Sequence, residues 1–174
     1  MALPALQEWH DFYLMIGTAS GAIVGATFVV ATLAANIEKR KLGITGFITP
    51  TTVHLGSVLV GSAILTAPTL SALVLAIILG LGALSGAIYG VVIWTRISQL
   101  KIDWIDRFWY GILPILAYLL LGVSAWLMFA AFEPGLELIA LAVVLLLVAG
   151  IRNAWDMATF MVLGGPSASD ADKP

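Results

Sequence analysis

Polar positions along this chain gather into a few short clusters, separated by long runs that hold almost none. Phe12 to Ala35 is predominantly apolar, carries no charged residue and ends at Asn36-Ile37-Glu38-Lys39-Arg40-Lys41. Val53 to Thr95 carries no Asp, Glu, Lys or Arg, with His54 at its edge as the one residue able to take a proton charge in that stretch. A bilayer's hydrocarbon is about 30 Å thick and takes about 20 helical residues to cross. As one helix, Val53–Thr95 would be about 65 Å long, twice what a crossing needs. The break falls at Thr66-Ala67-Pro68-Thr69, the strong turn signal inside the run.

The pattern therefore predicts spans at about 12–35, 51–67, 70–96, 108–132 and 134–163. Pro134 suits a first helical turn. Between the third and fourth spans, Ile97, Leu100, Trp104, Ile105 and Phe108 recur at helical spacing among Lys101, Asp103, Asp106 and Arg107. That spacing predicts a short helix lying in the membrane interface. Residues 164–174 read as a flexible cytoplasmic tail. The expected fold is an all-α integral membrane protein, one transmembrane domain over residues 1–163 built as a bundle of five helices.

Composition agrees. Hydrophobic residues make up 61% of the chain, charged residues 10%, and the mean hydropathy is +1.05, where soluble domains carry about 25% charged residues. Too few charges remain to cover a water-facing surface, which excludes a soluble enzyme or a disordered chain. Lys+Arg 8 against Asp+Glu 10 leaves no basic excess for nucleic acid. No cysteine is present, hence no disulfide or thiolate chemistry. The first charges are Glu8 and Asp11, so the first apolar run lacks the cationic start of a signal peptide and is expected to be retained.

Charge also orients the spans. Five crossings place Lys39, Arg40, Lys41, Arg96, Lys101, Arg107, Arg152 and Lys173 on one side, and Glu8, Asp11, Glu133 and Glu137 on the other. By the positive-inside rule the N-terminus is outside and the C-terminus cytoplasmic. Trp9, Tyr13, Trp94, Trp104, Trp109 and Tyr110 stand where interfacial aromatic belts are expected.

Two small-residue repeats stand out, Gly17, Gly21 and Gly25 in the first span and Gly82, Gly86 and Gly90 in the third. Ser20, Ser57, Gly61, Ser62 and Ser85 extend them. In lipid, close backbone approach holds helices together, so these faces predict tight packing within the chain or between copies, with a glycine-lined pore as the alternative. A homo-oligomer is expected, because five short spans enclose little interior.

Ionisable groups at membrane depth are costly and often functional. His54 near the cytoplasmic end of span two and Arg152, Asn153 and Asp156 at the same end of span five predict one polar cluster. It would act either as a structural ion pair with a bonded histidine or as a gate. Glu8, His10, Asp11, Glu133 and Glu137 gather outside, as a divalent-cation site, a cation-attracting mouth, or simply solvated and helix-start carboxylates. No catalytic residue, cofactor or metal is assigned. The serines lack the G-x-S-G setting of a membrane-embedded protease, and His10 and His54 fall on opposite faces, where they cannot share a haem.

Trp9-His10-Asp11-Phe12, Gly17-Thr18-Ala19-Ser20, Pro50-Thr51-Thr52-Val53-His54 and Gly150-Ile151-Arg152-Asn153-Ala154-Trp155-Asp156 together resemble a group of small, uncharacterised multi-span bacterial membrane proteins. The resemblance covers most of spans one, two and five. It implies a bacterial inner-membrane setting and nothing catalytic. The function expected from the residues is a homo-oligomeric channel or small transporter for an ion or small solute, favouring cations. The alternative is a non-transporting scaffold or regulatory subunit that binds another membrane protein through its glycine faces, and lipid or quinone binding is a third.

Overall fold

The computed structural model describes residues 4–35, 49–68, 70–99, 103–130 and 135–163, and among these every regular element is helical. A short α1 (Pro4–Glu8) leads into α2 (His10–Ala35). The other helices are α3 (Thr49–Leu65), α4 (Ala72–Ile97), α5 (Trp104–Phe129) and α6 (Gly135–Leu163). Helices α2, α4, α5 and α6 are long and apolar enough to cross a membrane. Helix α3 is apolar but has 17 residues, about 25 Å, at the short end of what a crossing takes.

Local chemistry sets the breaks. Pro68 interrupts the long apolar run as expected, and Ser71 starts α4 by accepting a hydrogen bond from the Val74 N–H at 3.3 Å. The separate interfacial helix expected near residues 97–108 is not formed among the described residues. Instead Trp104–Arg107 is the first turn of α5, continued by a π-helical turn at Phe108–Ile112. Pro114 explains the widened turn. It has no N–H for the Tyr110 carbonyl and its ring crowds that oxygen, and the Leu113 N–H reaches back five residues to Phe108. The charged run 36–41, Lys101, Glu133 and the tail 164–174 lie outside the described residues.

Helix α6 is the innermost, packed against α5, α3 and α2, with Ile139, Ala142 and Ala149 fully buried. Helix α4 lies outside α5, so the helices run α2, α3, α6, α5, α4 across the bundle. Consecutive α3 and α4 touch little. Two of the aromatics expected in interfacial belts, Tyr13 and Tyr110, are buried against neighbouring helices. Tyr13 donates to the Leu136 carbonyl at 3.4 Å and Tyr110 to the Asn153 carbonyl at 3.3 Å. Each tyrosine hydroxyl ties a neighbouring helix to α6.

The glycine repeats divide. At Gly17 a β-carbon would lie 2.9 Å from Ser62 Cβ, and at Gly90 2.7 Å from Ile115 Cγ1. At Gly86 it would strike the Tyr118 ring, at Gly150 the Leu55 side chain. Gly21 is in ordinary contact range of Leu59. These five are packing glycines within one chain. Gly25 and Gly82, expected to pack in the same way, have nothing within 4 Å among the described residues, and neither do Gly56 and Gly61. The four-residue spacing that selects a face does not guarantee that a neighbour fills it.

Candidate functional site

Three of the four open glycines face one space. Helix α3 turns Thr51, His54, Leu55, Val58 and Ser62 inward. It is drawn toward α2 by the Ser20 hydroxyl, which donates to the Leu55 carbonyl at 2.7 Å, and toward α6 by the seat of Leu55 on Gly150. Helix α4 is drawn the other way, onto α5, by Gly86 and Gly90. The two arms of the Pro68 hairpin are therefore pulled apart. Between them lies a groove of about 490 Å³ whose walls carry Gly56, Ser57 and Gly61 from α3 and Gly82 and Ser85 from α4. Tyr118 and Leu121 of α5 and Leu146 of α6 close its floor. Exposed Val53 and Val60 line it as well, so the groove opens on the outer surface of the bundle.

One wall of the groove is polar. The Tyr118 hydroxyl sits 3.1 Å from Ser57 Oγ and 3.0 Å from His54 Nδ1. Ser57 donates its own proton to the Val53 carbonyl at 2.9 Å, so toward Tyr118 it accepts. Tyr118 then donates to Ser57 and accepts from His54 Nδ1–H. This assigns the histidine tautomer from its network and leaves Nε2 as a lone pair, which has no hydrogen-bond partner among the described residues. His54 is 1% exposed, with the Tyr89 ring set edge-on at 6.0 Å. In a low-dielectric setting such a relay holds each hydroxyl in one orientation, because a broken link would leave an unpaired polar atom.

The predicted polar cluster separates into three. Arg152 and Asp156 do form an ion pair one turn apart on α6, with both side chains partly exposed. Asn153 is buried and donates to the Trp109 carbonyl at 3.4 Å, an oxygen of the π-helical turn. His54 joins neither. Its bond goes to Tyr118. Similar depth along the membrane normal had suggested the meeting, but depth leaves a helix's rotation about its own axis unset, and that rotation turns His54 toward α5.

At the opposite end, Glu8, His10 and Asp11 border a cavity of about 500 Å³ together with Thr66, Pro68 and Leu70 of the hairpin. His10 and Asp11 approach to 3.2 Å, both exposed, a contact of little energetic weight in water. Glu137 occupies the first turn of α6 and does not border that cavity, while Glu133 lies outside the described residues. Among the described residues no three His, Asp or Glu side chains come together as a metal-binding group.

Tyr118 was not singled out in the sequence, and it is the centre of the site. Its signal was available: a hydroxyl inside an apolar span must find a partner, and Ser57 and His54 are polar residues at a comparable distance along span two. No protein family, no curated protein and no solved structure matches this chain.

Proposed function

We propose that this chain is a multi-pass membrane protein that takes a small, lipid-soluble molecule from the bilayer into the groove between α3 and α4. The observation that carries this reading is the void itself. Gly56, Gly61 and Gly82 leave it empty on both walls, and Ser57, which fixes the buried Tyr118 hydroxyl, lines it. Pockets of several hundred Å³, mainly apolar with a few fixed polar groups, are the usual form of a small-molecule site. Helix α3 is the fifth crossing in this scheme, with the N-terminus outside, the C-terminus cytoplasmic, and a bacterial inner membrane as the setting. Shared positions support that arrangement: the start of α2 and the start of α6 meet through Tyr13 and Leu136, as two helices entering from one side must.

A photoreactive long-chain probe added to the purified protein in nanodiscs tests the reading. Labelling should fall on α3 and α4 around Ser57–Gly61 and Gly82–Ser85, and should be lost in Gly61→Leu and Gly82→Leu. Label spread evenly over the outer faces of all helices would reject it. Reporter tags beside Pro68 and at the C-terminus should report opposite compartments.

Conduction through a homo-oligomer is the second reading. It is favoured by the charged groups at both bundle ends, the Arg152–Asp156 pair at one and Glu8, His10 and Asp11 around a cavity at the other. Gly25 and its exposed neighbours Phe28 and Val29 offer a face for a second copy or another membrane protein. Cation flux in liposomes that depends on Asp156 would support this reading, and sealed liposomes across a range of voltage would end it.

A further inference from the structure

The chemistry of the groove wall goes one step further and names the class of ligand; this rests on the groove being a binding site, as proposed above. Three hydroxyl-bearing residues line it: Ser57, Ser85 and Tyr118, the last with its side chain buried. Each has its proton committed inside the protein. Ser57 donates to the Val53 carbonyl at 2.9 Å, Ser85 to the Gly82 carbonyl at 3.0 Å, and Tyr118 to Ser57 Oγ at 3.1 Å. What Ser57 and Ser85 leave toward the groove is lone pairs. Among the described residues, no Asp, Glu, Lys, Arg or His lines it.

We infer that the groove selects a neutral lipid whose polar end is a hydroxyl, seated so that this hydroxyl donates to Ser57 or Ser85. An alcohol brings the proton that the wall lacks. A ketone, ester or quinone carbonyl is an acceptor only and would face acceptors, leaving its oxygen unpaired in an apolar site, the arrangement that costs most in hydrogen-bond recognition. A fatty carboxylate or an alkylammonium would shed its water without meeting a counter-charge. Ser57 also controls the preference, since it holds the Tyr118 proton away from the ligand. Without it, Tyr118 has a proton to offer a carbonyl.

The test uses the full chain in nanodiscs with three matched long-chain probes that share one mid-chain photoreactive group and end in a primary alcohol, a methyl ketone or a carboxylate. The alcohol should label the groove about tenfold more than the ketone, the effect of one well-placed hydrogen bond, and the carboxylate should label least. In Ser57→Ala the ketone should gain on the alcohol. Equal or stronger groove labelling by the ketone or carboxylate in the wild-type chain would overturn the alcohol preference while leaving the groove intact. An unchanged alcohol-to-ketone ratio in Ser57→Ala would overturn the role given to the Tyr118 proton. Labelling by all three probes that persisted in Gly82→Leu would overturn the groove reading beneath both.

Discussion

Helix α4 has two neighbours and treats them oppositely. Against α5 it is close-packed: Gly86 admits the Tyr118 ring, Gly90 admits Ile115, and a β-carbon added at Gly122 of α5 would rest 3.6 Å from Ala83. Against α3, its partner in sequence, it leaves a groove of about 490 Å³, with Gly82 facing open space only four residues before Gly86. The same residue type on one helix thus does two different things. Lipid is as apolar as a leucine side chain, so nothing forces a bare helix face to find protein. A glycine becomes a contact where the facing helix supplies a matching side chain, and a void where the facing helix is held elsewhere.

The sharpest way to break this contrast is Gly86→Leu. The new side chain would occupy the place of the Tyr118 ring, which cannot withdraw without giving up His54 and Ser57. Overpacking of this kind should cost about 3 kcal/mol, read as a lowered unfolding midpoint in detergent. A Gly86→Leu protein as stable as wild type would mean that α4 and α5 are not in contact there.

Tyr118→Phe comes next. It keeps the ring on Gly86 and removes the hydroxyl, leaving Nδ1 of a buried histidine and a serine oxygen without their partner. The loss should be about 1 kcal/mol, in the range measured for side-chain hydrogen bonds within membranes. Asp156→Asn should cost less, about 0.5 kcal/mol, because the Arg152 pair is partly exposed and sits on one helix. If Asp156→Asn were the more damaging of the two, the ion pair rather than the tyrosine relay would be the polar anchor of the bundle.

Much of the architecture was legible in the chain. Long uncharged runs and the Pro68 break located α2, α3, α4 and α6 within a few residues, since apolar length and proline act locally. The start of α5 was not, because Trp104–Arg107 reads as amphipathic in isolation and its continuation depends on how Pro114 reshapes the turn before it. Within the polar site, the Arg152–Asp156 pair followed from four-residue spacing alone. The partner of His54 did not, since it depends on the rotation of α3 between α2 and α6, which is set by contacts such as Ser20 on Leu55 and Leu55 on Gly150. The groove was hidden for a similar reason: glycine spacing gives the same signal whether the facing surface is a side chain or empty space.

The smallest expected effect on stability is also the one that best separates the two sides of α4. In Gly82→Leu the added side chain enters open space, so nothing must move, and replacing glycine in a helix interior removes a backbone-entropy cost of up to about 1 kcal/mol. The unfolding midpoint should therefore stay level or rise slightly, while the groove loses volume and with it the labelling by a long-chain alcohol. Set beside Gly86→Leu, one substitution type four residues apart on one helix should give a folded protein with a filled groove in one case and a damaged bundle in the other. Equal destabilisation by both would show that α3 and α4 close together in the membrane, and the groove would then have no room for a ligand.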